Sequence, residues 1–424
     1  SRSTSGGASL AGVRIDGYVL IDGARDNSFH LNFSDNSSNA ALGYDAAVTA
    51  PTLNPDGGMD VVTYTGNGSS QTISGLGFQP DLVWIKNRGS SSSHFLHDVV
   101  RGFSNGNALE LRSDGTNAEG APSTASTGLT SFNSDGFSLG SDSGTNANSN
   151  TFVAWAWKAG GAAVANTDGT ITSQVSANTD YGFSIVTYTS DSSATKTVGH
   201  GLGSAPKMIF FKDRDAATNW FVHHNDGSTG LMFEGLNTTA AGTTNLVAMN
   251  NTLPSASVFS LNSGGYSINH NGNYAMIAYC WSEVSGFSKF GSYTGNGSNT
   301  GPIITTGFKP RWVIIKVTNT TNSWVIFDTK RDPSNTADSR LKADSSGAED
   351  THAAVDFLDT GFQLVKGDSS ATNDNGNTYI YAAFADRPGN NFDVNNLVAT
   401  AGADGTEGFD VVTYSGNAGT QTIS

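Results

Sequence analysis

Val61-Val-Thr-Tyr-Thr-Gly-Asn-Gly-Ser-Ser-Gln-Thr-Ile-Ser74 returns near the end of the chain as Val411-Val-Thr-Tyr-Ser-Gly-Asn-Ala-Gly-Thr-Gln-Thr-Ile-Ser424, with ten of fourteen positions identical. Self-similarity of this kind marks two copies of one module start. Weaker copies open at Ile185-Val-Thr-Tyr188 and Phe290-Gly-Ser-Tyr293, so the equivalent tyrosines are Tyr64, Tyr188, Tyr293 and Tyr414. Their spacings of 124, 105 and 121 residues exceed any solenoid period and match whole domains.

Landmarks recur in one order between these starts. Gly77-Phe-Gln-Pro-Asp-Leu-Val-Trp-Ile-Lys86, Gly203-Ser-Ala-Pro-Lys-Met-Ile-Phe-Phe-Lys212 and Gly307-Phe-Lys-Pro-Arg-Trp-Val-Ile-Ile-Lys316 each join a proline to an apolar run of strand length. Such a run is buried on both faces, and the closing lysine is expected to leave the core. Strands follow around His94-Phe95-Leu96, Trp220-Phe221-Val222 and Trp324-Val325-Ile326. Phe132-Asn-Ser-Asp-Gly-Phe137, Leu261-Asn-Ser-Gly-Gly-Tyr266 and Phe357-Leu-Asp-Thr-Gly-Phe362 read as hairpins, because a Gly-containing turn sits between large apolar residues. In the closing Phe152-Val-Ala-Trp-Ala-Trp157, alternation puts Trp155 and Trp157 on one face and Ala154 and Ala156 on the other.

The expected fold is all-β: tandem antiparallel β-sandwich, jelly-roll-like modules arranged as beads on a string. The divisions are 1–58, the end of a preceding jelly-roll-like domain with a linker; 59–161, the first repeat; 162–180, a linker; 181–286 and 287–389, the second and third repeats; and 390–424, a linker and the start of a further truncated repeat. The chain opens on Ser1 without a Met and stops inside a module, so a fragment of a longer polypeptide is expected.

Composition narrows the function. Gly occurs 51 times and only 14% of residues are charged, which suits many strands and tight turns. Of the 37 acids, 31 are Asp and six are Glu; Asp bonds its own backbone in turns, so much of the net charge of -15 is turn chemistry. The same charge opposes nucleic acid, whose phosphates need Lys and Arg. The lone Cys280 excludes an intrachain disulfide and a cysteine zinc cluster. No apolar stretch approaches the roughly 20 residues of a membrane span.

The repeat is an internal control for candidate chemistry, since a catalytic set should survive in at least one copy. His97, Asp98 and Arg101 align with Phe327, Asp328 and Arg331 and with His223 and His224; a turn-anchoring ion pair explains this better than an acid/base pair. His223 and His224 face opposite sides of a strand and do not chelate as a pair. His200, in Gly199-His-Gly-Leu-Gly203, reads as a turn, since no helix follows to bind phosphate. Asn166-Thr-Asp-Gly169 and Asn373-Asp-Asn-Gly-Asn377 offer oxygens to calcium but lack the closing Glu, which favours Asx turns. Trp84, Trp155, Trp157, Trp281 and Trp312 fall in strand patterns that favour core over sugar stacking. The unlike loops Arg112 to Thr127, Leu236 to Ala256 and Ala337 to His352 are the places where a scaffold would carry binding specificity. No catalytic residue, ligand-binding residue or metal ligand is assigned, no cofactor is implied, and no enzyme is expected.

The opening Val-Thr-Tyr-Thr-Gly-Asn-Gly, the run from Gly77 to Arg88, the Ser-Asp-Gly-Phe hairpin and Ala-Trp-Ala-Trp-Lys-Ala-Gly-Gly161 together resemble a module of marine and cyanobacterial phage virion proteins. The resemblance covers residues 59 to 424. Upstream, the stretch from Ser28 to Gly43 resembles the end of a laminin-G or concanavalin-type jelly roll. The resemblance implies a tail fibre, tail-associated protein or other appendage at the virion surface or outside the cell. The implied partners are other virion proteins and further copies in a homo-oligomer, with host-surface glycan as a ligand and no membrane insertion. A carbohydrate-binding adhesin is the alternative, and a polysaccharide-degrading enzyme with two opposed carboxylates is a third reading.

Overall fold

The computed structural model describes residues 13–15, 18–20 and 57–385, except 228–229, 264–266 and 368. The expected jelly-roll end around Ser28 to Gly43 and the truncated repeat from 390 to 424 lie outside the described residues. Val13–Ile15 pairs antiparallel with Tyr18–Leu20, and Leu53–Pro388 forms a compact unit of its own.

Within that unit the chain is nearly all-β, its named strands pair antiparallel, and the three modules share one strand plan. The opening strand Met59–Thr65 pairs with the closing strand Thr151–Trp157, which pairs with the proline strand Leu82–Asn87; His94–Asp98 and Glu110–Arg112 follow outward. The second module repeats this order with Phe183–Thr189, Ala275–Trp281, Met208–Asp213, Phe221–Asn225 and Gly230–Phe233. The third uses Ser288–Thr294, Thr378–Ala385, Pro310–Val317, Val325–Asp328 and Ala337–Lys342. A smaller sheet covers one face of each, made in the first module by Gln71–Ser74, Leu129–Asn133 and Gly136–Leu139.

The alternating side chains of each main sheet serve two cores. Val83, Ile85, Phe152, Ala154 and Ala156 face the small sheet and pack with Phe137 and Leu139. Trp84, Trp155 and Trp157 face the other way and join Phe210, Tyr279, Trp281, Trp312, Ile314 and Phe384 of the other modules in a common core. The Trp157 ring lies 6.0 Å from Trp281 and 5.4 Å from Trp312. The modules are therefore not beads on a string. Each sandwich presents a second apolar face, and burying these faces against one another joins the three sandwiches.

Two further expectations are corrected. Residues 162–180 are not a plain linker: Val164–Asn166 and Ser173–Asn178 extend the second module's sheet beyond Phe183–Thr189. The hairpin landmark of the second copy is also displaced. Val258–Leu261 pairs with Lys196–Gly199, setting Phe259 opposite Val198 as Phe137 is opposite Ile73. Phe259 thus occupies the Phe137 position; Gly264, Gly265 and Tyr266 of the expected hairpin lie outside the described residues. Glycine spacing misled the alignment because the turn before Phe259, Ser255-Ala-Ser-Val258, has no glycine.

Candidate functional site

Strand register places Asp98 opposite Leu82, His224 opposite Met208 and Asp328 opposite Trp312, so these three residues are equivalent. Asp98 Oδ1 accepts the backbone N–H groups of Val100 and Arg101 at 3.0 and 2.9 Å, which fixes the turn. Its Oδ2 accepts from Arg101 Nε at 2.5 Å and from the hydroxyl of Tyr279, in the second module, at 2.7 Å. Arg101 also donates to Leu96 O and to Glu119, and Glu119 accepts from Arg214 of the second module at 2.7 Å.

The third module repeats the pattern toward the first. Asp328 Oδ2 accepts from Arg331 Nε at 2.6 Å and from Trp155 Nε1 at 2.9 Å. Arg331 donates to Glu349, which accepts from Arg88 at 2.7 Å. Between the second and third modules the carboxylate is replaced: His224 Nε2 lies 3.1 Å from Tyr381 O, and Lys316 Nζ donates to Thr239 O at 3.1 Å. Three seams thus close a ring, first to second, second to third and third to first.

Burial pushes the Asp98 carboxyl up, but the Arg101 charge and the bonds from Arg101 and Tyr279 more than offset this and leave it below the usual range. Burial likewise raises Glu349, and the bonds and charges of Arg88 and Arg331 bring it below. Each of these carboxylates is supplied with donors on both oxygens. Such groups hold a shape, because each carboxylate is already engaged on both oxygens.

Lys86, Lys212 and Lys316 do not leave the core; they are at most 1% exposed. They point the same way as Trp84, Phe210 and Ile314, two residues earlier on the strand. Lys86 Nζ donates to Asn87 O, Ser92 O and Ser346 O at 2.9, 2.8 and 3.1 Å. Lys212 Nζ donates to Asp213 O and Ala216 O. Lys316 Nζ also reaches Asn322 O at 2.7 Å. Burial lowers each ammonium pKa to about 8. An amphipathic lysine at a strand end ordinarily reaches water; here the loops fold over it and offer carbonyls instead.

The three unlike loops are parts of the seams. Trp220 Nε1 donates to Arg112 O, Ser113 Oγ to Ala343 O and Trp324 Nε1 to Gly235 O, while Glu119, Thr239, Ser346 and Glu349 bind neighbouring modules as above. Each loop meets a different partner, which gives a physical reason for their sequences to differ.

His223 turns to the sandwich interior, its Nδ1 3.1 Å from Leu231 O, and His224 turns to the seam; burial lowers them to about 3 and about 4. His200 holds its own turn through Ser255 O and Leu202 N. Asn166 and Asp168 close an Asx turn on each other. Asn373 is one of three equivalents, in Asn146-Ala-Asn-Ser-Asn150, Asn269-His-Asn-Gly-Asn273 and Asn373-Asp-Asn-Gly-Asn377. These asparagines are fully buried and staple the opening-strand turn: their side-chain oxygens accept from Asn67 N, Asp191 N and Asn296 N at 2.9, 2.9 and 3.0 Å. The repeated tyrosines bond the carbonyl just before each asparagine, Tyr64 to Thr145 O, Tyr188 to Ile268 O and Tyr293 to Thr372 O, at 2.6 to 2.7 Å. The repeated Asn-x-Asn-(Ser/Gly)-Asn pattern was the signal for this staple. Among the described residues no group of three or more His, Cys, Asp or Glu is placed to hold a metal.

A surface groove of about 640 Å³ opens on the third module, lined by Gly297, Asn299, Ala353, Val365, Lys366 and Gly367. Asn299 Oδ1 accepts the Gly367 N–H at 2.9 Å and ties the two walls together. Both walls are longer here than in the first module. From the staple tyrosine to the small-sheet isoleucine is 11 residues, Tyr293 to Ile304, against 9 from Tyr64 to Ile73. From the hairpin phenylalanine to the buried asparagine is 11, Phe362 to Asn373, against 9 from Phe137 to Asn146.

Fold and site together define a ring of three β-sandwiches closed by buried ionic and hydrogen-bonded seams. The chain belongs to the family described as domain of unknown function DUF7483, whose model matches residues 54–388. No curated protein matches the chain.

Proposed function

We propose that this chain is a structural component of a phage particle, a segment of a tail fibre or other virion appendage. The observation that carries the reading is the closed ring: three sandwiches share one core, and buried carboxylates and guanidinium groups, with Lys86 and Lys316, hold it together. A rigid unit of this kind spaces and presents surfaces, which agrees with the resemblance of the repeat to phage virion modules. The acidic, turn-rich surface suits an exposed protein rather than a nucleic-acid binder. On this reading the chain is not an enzyme, and its partners are other virion proteins and copies of itself.

The test is a cryo-electron reconstruction of particles from a phage that encodes the chain, with antibody labelling against residues 53–388. Density for the three-sandwich ring on an appendage supports the proposal. Labelling confined to lysate and absent from purified particles overturns it.

A further inference from the structure

The groove on the third module has the chemistry of a sugar site. It is lined by Ala353, on the strand Asp350–Leu358, and Val365, which carry aliphatic side chains, together with Asn299, Lys366, Gly297 and Gly367. A pyranose ring has this division itself, with C–H groups on one face and hydroxyls around the edge. The volume is within the range of small-ligand sites, roughly 300 to 1,000 Å³. Asn299 and Ala353 are exposed, and Val365 and Lys366 are half-buried, so a ligand reaches them without opening the fold. With one wall tied to the other through Asn299 and Gly367, the groove is held in shape before a ligand arrives, which lowers the ordering cost of binding. The two extra residues in each wall are not needed for the sandwich, since the first module makes the same staple without them.

We propose that this groove binds a saccharide unit, with Ala353 and Val365 under the ring and Asn299 and Lys366 bonding its hydroxyls. The site deepens the appendage reading by naming the surface chemistry the ring would meet. It is tested on the isolated chain, so its failure leaves the particle assignment standing.

The experiment is methyl-labelled NMR titration of the full chain with a panel of neutral hexose disaccharides and one uronate disaccharide. Shifts of the Ala353 and Val365 methyl groups that saturate with at least one probe are expected. Ala353→Phe, which fills the groove from an exposed position, should weaken binding at least tenfold, and Lys366→Gln should weaken it severalfold. Unchanged spectra elsewhere in both variants control for folding. No methyl shift across the panel, or shifts that persist unchanged in Ala353→Phe, overturns the proposal.

Discussion

A lysine enclosed by protein must find acceptors for its N–H groups or give up a proton, and Lys86, Lys212 and Lys316 sit near that balance. Burial brings each from 10.5 to about 8. Between about pH 8 and 10 the folded protein has therefore released protons that the unfolded chain still holds, so stability rises with pH, by about 1.4 kcal/mol per unit of pKa difference for each group. The thermal midpoint should be higher at pH 9.5 than at pH 7.5, and Lys316→Met should flatten the rise. Above pH 10 the trend should reverse, because burial holds the hydroxyls of Tyr64, Tyr188 and Tyr293 neutral in the fold. On the acid side His97, His223 and His224 are lowered by burial to about 4, 3 and 4. The unfolded chain takes up those protons first, from about pH 6.5 downward, so stability falls as pH drops from 6.5 to 4. Replacing His223 and His224 together by Gln should reduce that slope in a pH series of urea unfolding. An unchanged slope would mean that other groups govern the acid limb.

At the scale of the element, the staple between the opening strand and the closing turn recurs three times, and its parts can be weighed separately. Tyr188→Phe removes the donor to Ile268 O and should cost about 1 to 2 kcal/mol. Asn146→Ala leaves Asn67 N, Ser69 O and Gly140 O without their side-chain partner and should cost more, roughly 2 to 4 kcal/mol. Chemical unfolding of single variants checks both. Strand existence and facing were legible in the sequence because period-2 alternation is a local property: Trp155 and Trp157 do share one face, Ala154 and Ala156 the other. The fate of Lys86 was not legible, since the carbonyls that receive it include Ser346 O from 260 residues away in the chain. Hairpin alignment failed in the second copy for a local reason, the missing glycine before Phe259.

At the scale of the molecule, closing the ring makes the modules interdependent. Arg331→Leu leaves Asp328 buried against Trp155 without its cation and should destabilise by roughly 3 to 5 kcal/mol. If the ring unfolds as one cooperative unit, intrinsic fluorescence and circular dichroism should report a single shifted transition; separate transitions would mark independent modules. Residues 181–286 made alone would expose Phe210, Tyr279 and Trp281 and should self-associate in analytical ultracentrifugation, whereas residues 53–388 should keep these groups covered. The sequence showed each sandwich but not the ring, because a face of tryptophans reads as core whether the partner is the same module's second sheet or a neighbour. For the same reason the unlike loops did not read as seams, although part of each one lies in a seam.

Asp60, beside the first residue of the ring's opening strand, bonds Arg311 at 2.9 Å, and Pro310, next in the chain, pairs with Ala385 at the end of the last strand. The chain thus enters and leaves the ring at neighbouring points. Tension applied along the polypeptide would pass from one to the other across this short junction, so the ring hangs beside the load path instead of lying in it. Pulling would load the two strand ends first: the Asp60–Arg311 tie, the pairing of Met59 with Trp157 and that of Ala385 with Pro310.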